Sequence, residues 1–236
     1  MKRADTGSTW PVINHPRAKY YEQNSRIPLW EALRASAAAP TYFVPQKLSV
    51  GPGETGAFVD GGVSMANNPA FQLFLIATLK GFPFQWPVGE DRLLLVSLGA
   101  GLWQRRADVD DVSEGKLWDW AIQVPTMLME DANSQNQLLL QYLSRTQTPW
   151  LIDEEVGDLT SDLLTPAPAL TYLRYDVWLE DHALQELALT ELVPRAESLR
   201  EISAGENRHV LAMISDKAAE RQVRDGHFPP EFDLAE

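Results

Sequence analysis

The sequence predicts an α/β fold. Three stretches predict it: a proline-bounded helical segment at 28–39, a short apolar strand ending in an acid at 57–60, and an apolar run closed by glycines at 92–101. Strands that alternate with helices build layered α/β architectures.

A chain of 236 residues suits one domain, or the larger part of one, and is long enough to bury a core. Apolar content of 44% and charged content of 22% are those of a globular protein. No apolar run reaches the roughly 18 residues of a membrane span. Met1-Lys2-Arg3 is followed by Ala4-Asp5-Thr6-Gly7 rather than an apolar core, so no classical signal peptide is expected. Cysteine is absent, which removes disulfides, thiolate catalysis and zinc–thiolate sites from this sequence and fits a cytoplasmic location, with peripheral membrane contact left open. The net charge of -13 disfavours nucleic acid and simple adsorption to anionic lipid, and serves solubility.

Residues 1–24 read as extended, with an abrupt start like the middle of a domain. Pro28 suits the first position of a helix over 28–39, and Pro40 stops it. Ala32, Ala35, Ser36 and Ala39 recur at i, i+3, i+4 and i+7. That gives a smooth face for close packing, with plain helix propensity as the alternative reason for the alanines. Thr41-Tyr42-Phe43-Val44 reads as a short strand or an extended lead-in. GPGETG (51–56) is a turn, and Ala57-Phe58-Val59-Asp60 a short buried strand. Asn68 caps a helix that Pro69 opens and that runs to about Lys80. The apolar run 92–101 suits a central strand buried on both faces.

Residues 113–145 read as mostly helical, with Pro125 expected to kink or split the segment. The polar run DANSQNQ (131–137) is read as a solvated face, with the lining of a polar site as the alternative. The acidic loop 153–162 lacks the spacing of a calcium loop. Residues 170–178 alternate as a late strand, and 183–220 form two further helices broken near Ala204-Gly205. The tail 226–236 is expected to be loosely held.

Asp60 is the candidate for chemistry. An acid at the carboxyl end of a strand in an open α/β sheet faces the ligand crevice. Gly61-Gly62 let the backbone turn sharply there. Such a carboxylate can take a proton from a serine hydroxyl during nucleophilic attack. The alternative is an acid that caps its own turn.

LWEALRASAAAPTYF, then FVDGGVSMANNPA, then LLLVSLGAG, with NHPRAKYYEQNSRIPLW upstream, resemble the patatin-like phospholipase family over roughly residues 5–101. The resemblance implies a three-layer α/β/α fold, incomplete at its N-terminal side. Residues 1–225 would then be the C-terminal portion of a patatin-like domain. It also implies lipid acyl hydrolysis by a serine–aspartate dyad that needs no cofactor and no metal. The family's aspartate maps onto Asp60, with Gly61 and Gly62 supporting the motif. The sequence holds neither the G-x-S-x-G elbow nor the glycine-rich oxyanion loop, so the nucleophile is expected upstream of Met1 and the chain alone is expected to be inactive.

Two serines are decoys. Ser64, in Gly62-Val63-Ser64-Met65-Ala66, lacks a strand running straight in and a helix running straight out. Ser97 has Leu95 where the elbow's first glycine belongs, and reads as a strand residue. His15, His182, His209 and His227 form no metal-binding pair. Phe82, Phe84 and Trp86 alternate along GFPFQWPVG and suit either packing on the domain or contact with a lipid interface. Lipid or an acyl ester is the expected partner, with self-association through an exposed sheet edge expected for an incomplete domain. A catalytically inactive shortened product, or a partner-dependent binding remnant, is the rival reading.

Overall fold

The computed structural model describes residues 1–104, 106–201 and 203–233. In chain order the elements are β1 (Lys2–Arg3), β2 (Ser8–Thr9), α1 (Tyr21–Asn24), α2 (Leu29–Ser36), β3 (Gln46–Gly51), β4 (Glu54–Val59), α3 (Ala70–Thr78), β5 (Leu94–Leu98), α4 (Val109–Ser113), α5 (Leu117–Leu143), β6 (Ser144–Thr146), β7 (Leu170–Tyr175), α6 (Asp181–Glu186) and α7 (Arg208–Gln222). Short 3-10 turns join several of them, among them Gly61–Val63. The fold is mixed α/β, with one antiparallel and one parallel sheet. The chain divides into two compact units.

The first unit comprises Met1–Val88, Gly115–Leu143 and Leu151–Leu164. Its sheet has the order β2-β1-β4-β3, with Lys2 opposite Val59 and Leu48 opposite Gly56. Pro52-Gly53 closes the β3–β4 hairpin. Gly53 has φ +72, as the third position of a type II turn requires after proline. Trp10, Ala35, Leu48, Val50 and Phe58 form the core on one face of this sheet. α2 packs there through the fully buried Ala35, and Ala38, two residues beyond the helix, is also fully buried. The small face read from the sequence is thus partly used, since Ser36 is exposed.

Several expectations change in this unit. Residues 21–24, read as extended, form the helical turn α1; the helix read over 28–39 ends at Ser36; and Glu54–Gly56, read as part of a turn, already belong to β4. Residues 41–44 are a turn rather than a strand: Thr41 has φ +77, which breaks an extended path. The strand is β3, just beyond, in residues the sequence reading passed over. Pro125 does not split α5, which runs unbroken from Leu117 to Leu143. DANSQNQ is not simply a solvated face, because Asn136 and Gln137 are buried. Asn68 behaves as read: its Oδ1 accepts from the N–H of Ala70 at 3.2 Å and opens α3. In the acidic loop Asp153 Oδ1 accepts from the N–H groups of Glu155 and Val156, so that carboxylate closes a local turn.

The second unit comprises Gly89–Glu114, Ser144–Trp150 and Thr165–Glu236. Its parallel sheet has the order β5-β7-β6. The apolar run expected at the centre is therefore an edge strand of this sheet, with Leu98 75% exposed. The centre is β7, buried along its whole length. Residues 170–178 read as an alternating strand, yet β7 is buried on both faces, Thr171 and Arg174 included, because it pairs on both sides. Leu179, Leu184, Leu192, Leu199 and Ile214 form the core among α6, α7 and the turns between them.

At the carboxyl end of β7, Asp176 accepts from Arg174 Nη2 at 2.5 Å and from the N–H groups of Gly101 and Val177, each at 2.9 Å. Arg174 Nη1 also donates to Ser97 Oγ at 2.7 Å. A Cβ on Gly99 would lie 1.7 Å from Asp176 Oδ2, so Gly99, just past β5, makes room for this buried carboxylate. Residues 225–232 form two short turns, and His227 Nδ1 lies 2.8 Å from Tyr175 Oη. Residues 234–236 of the tail lie outside the described residues. No helix among the described residues is long and apolar enough to cross a membrane.

Candidate active site

Asp60 follows directly on β4, the strand whose Phe58 and Val59 are buried in the first unit. Its backbone N–H donates to the carbonyl of Ala38 at 3.1 Å, so the loop that leaves α2 holds the start of the turn. Its half-buried carboxylate accepts from the N–H of Gly62 at 2.7 Å through Oδ1. No hydrogen bond to Oδ2 occurs among the described residues. The turn-capping role and a free acceptor oxygen therefore coexist in one side chain.

Gly62 is tightly placed. A Cβ there would come within 3.1 Å of Asp60 Oδ1 and 3.4 Å of Asn67 Oδ1. A Cβ on Gly61 would meet only ordinary contacts, 3.4 Å from Ala66 and 3.5 Å from the Met1 nitrogen. That α-amino group is held below its usual pKa by burial, against the opposing pull of Asp60.

Ser64 adopts an extended conformation, with φ -143 and ψ -161. Its N–H donates to Gly61 O at 3.1 Å, and α3 begins six residues later at Ala70. The Gly61–Val63 turn stands where a nucleophile elbow has a strand. Ser97 lies on β5 in the second unit and is occupied by Arg174.

The histidines have other partners. His15 accepts from the N–H of Arg17 and meets Phe84 edge-on; His182 sits 3.5 Å from Glu180. His209 faces Arg208 and His227 faces Tyr175. Among the described residues no group of three or more His, Asp or Glu side chains is arranged to hold a metal ion. In the loop 81–89 the three aromatics divide: Phe82 and Phe84 are half-buried, while Trp86 is 55% exposed.

Sequence reading missed the residues that hold the segment after Asp60. Asn136 Nδ2 donates to the carbonyls of Met65 at 2.7 Å and Asn68 at 3.1 Å. Asn67 Nδ2 donates to the carbonyl of Met129 at 3.0 Å. The available signal was the polar run 131–137 inside an otherwise apolar helix.

Fold and site together define an α/β protein with a strand-end carboxylate set on a glycine turn. Residues 3–74 match the family model described as Patatin-like phospholipase, a family of lipid acyl hydrolases. The matched stretch runs from β1 into α3 and includes Asp60. It is shorter than the resemblance read from the sequence, which extended through β5. No curated protein and no solved structure matches the chain.

Proposed function

We propose that this chain carries the general base of a patatin-like lipid acyl hydrolase, and that Asp60 is that base. The observation that carries the reading is the position of Asp60: at the end of β4, inside the matched stretch, with Oδ1 spent on Gly62 and Oδ2 open. In the reaction a serine Oγ attacks the ester carbonyl carbon as its proton passes to Asp60. The C–O bond to the alcohol breaks, and the alcohol leaves with that proton. Water then adds to the acyl-enzyme as Asp60 accepts its proton; the acyl–Oγ bond breaks, the proton returns to the serine Oγ, and the fatty acid is released. The sequence contains no G-x-S-x-G, so the serine and the oxyanion donors are assigned to residues outside this chain. The substrate is an acyl ester of the phospholipase A or esterase type, and this chemistry uses neither metal nor organic cofactor. We place the protein in the cytoplasm, at the membrane surface when it engages lipid. Trp86 is the leading contact there, with Phe82 and Phe84 behind it. The exposed edge β5, with Val96 and Leu98 outward, is the surface for self-association.

A second reading is favoured by α2. Leu29, Trp30 and Leu33 on that helix are each more than half exposed, as are Tyr42, Phe43 and Val44 after it. Such surface suits a binding remnant that depends on a partner, without catalysis of its own.

The test is hydrolysis of a medium-chain p-nitrophenyl ester by the 236-residue chain beside Asp60→Ala and Ser64→Ala. No activity above the Asp60→Ala control is expected of a base without its serine. Activity lost on both substitutions would place a nucleophile within this chain, with Ser64 the candidate. Activity that survives Asp60→Ala would remove Asp60 from the mechanism.

A further inference from the structure

We infer that Asn136 is a positioning residue for the Asp60 turn. The segment 60–69 contains only the 3-10 turn Gly61–Val63 and a turn closed by the Asn67 N–H on the Ser64 carbonyl, yet a catalytic base needs a fixed position. Upstream it is held by β4 and by the Ala38 carbonyl. Downstream the holding element is α5.

The Asn136 amide has two N–H groups, and both are spent on this segment, one on Met65 and one on Asn68. Both partners are carbonyl oxygens, so the orientation of the amide follows from the bonds themselves. Asn136 is buried, which shields the pair of bonds from water. One face of α5 makes a second attachment seven residues earlier, where the Met129 carbonyl accepts from Asn67. Residues seven apart on a helix lie two turns apart on the same side. α5 also packs against the turn Gly61–Val63 itself and against α3. The segment is thus gripped at Met65, Asn67 and Asn68, beyond the Gly62 N–H that fixes Asp60 Oδ1. Asn136 acts through the backbone, and nothing assigns it contact with substrate. Its relevance to catalysis rests on the reading of Asp60 as the base.

Gln141 supplies the control. It lies on the same helix, is fully buried, and donates through Nε2 to the Asp158 carbonyl at 2.6 Å, away from the Asp60 turn. The experiment compares the 236-residue chain with Asn136→Ala, Asn136→Asp and Gln141→Ala by amide NMR and hydrogen exchange, with urea midpoints recorded for each. Asn136→Asp keeps the shape of the side chain and removes both donors. The expected result is a displaced Gly62 amide resonance and about tenfold or faster exchange at Asp60 and Gly62 in both Asn136 variants. Gln141→Ala is expected to leave those two amides in place at a comparable loss of global stability. Unchanged Gly62 and Asp60 amides in the Asn136 variants, or equal changes in Gln141→Ala, would overturn the inference. If neither Asn136 variant folds, Asn67→Ala reads the same amides through the second attachment, and their indifference to it would equally overturn the inference. These amides report the clamp whether or not Asp60 is catalytic. The ester assay with Asp60→Ala reports the base alone, so the two ideas fail separately.

Discussion

Asp60 Oδ1 accepts a hydrogen bond from the N–H of Gly62 at 2.7 Å, so the candidate base is oriented by the backbone of its own motif. The second glycine of Asp-Gly-Gly is therefore part of the geometry of the acid. A side chain at position 62 would stand against the same oxygen that the N–H holds.

Gly62→Ala is accordingly expected to displace the carboxylate and to lower stability by about 1 kcal/mol. Gly61→Ala, whose Cβ meets looser contacts, is expected to stay within about 0.5 kcal/mol of the parent. Urea titration of the two variants side by side checks the order. Equal midpoints would show that the turn relaxes freely around an added methyl.

Gly99→Ala places a methyl 1.7 Å from Asp176 Oδ2, on a carboxylate held by Arg174 and two backbone N–H groups. That carboxylate cannot yield without breaking a buried network. A loss above about 3 kcal/mol is expected, read by chemical denaturation or by failure to fold.

The Arg174–Asp176 pair itself is buried, with side-chain exposures of 8% and 0%. Asp176→Ala strands the guanidinium and is expected to cost about 3–5 kcal/mol. Replacing both residues by leucine and methionine is expected to cost less than the single change, because no unpaired charge remains. A double-mutant comparison of unfolding free energies decides it.

Burial pushes the Tyr175 hydroxyl above its usual pKa of 10.0. A group whose folded pKa is raised contributes stability that is complete below the unfolded value and is lost as pH rises through the folded one. Thermal stability is therefore expected to fall above about pH 10 by a component that Tyr175→Phe removes. Identical alkaline profiles for parent and variant would refute this.

Trp86 is 55% exposed, while Phe84 packs edge-on against His15. Replacing Phe82, Phe84 and Trp86 together by serine is expected to lower binding to phosphatidylcholine liposomes, and Trp86→Ser alone to account for most of the loss. Unaltered co-sedimentation would confine these rings to a packing role.

The local signals in the chain were legible where a single residue type has one conformational use. Asn68 before Pro69 announced the start of α3, the glycines and proline of 51–56 a turn, and an acid before two glycines the turn at Asp60. The family resemblance was legible too, because its motifs are ordered blocks of such residues. Hydrophobic pattern failed to rank the strands of the parallel sheet. The apolar run read as central is the edge strand β5, and the alternating stretch 170–178 supplies the centre, β7.

The sequence by itself determined the α/β class, the cap at Asn68, the turn around Asp60 and the lack of an elbow around any serine. These depend on backbone preferences and hydrogen bonds within a few residues. Only the tertiary structure decided which strand lies centrally, that Gly99 exists to admit the Asp176 carboxylate, and that Asn136 holds the segment after Asp60. Each of those brings together groups some seventy residues apart, and a local signal such as the polar run 131–137 does not say which distant residue is the partner.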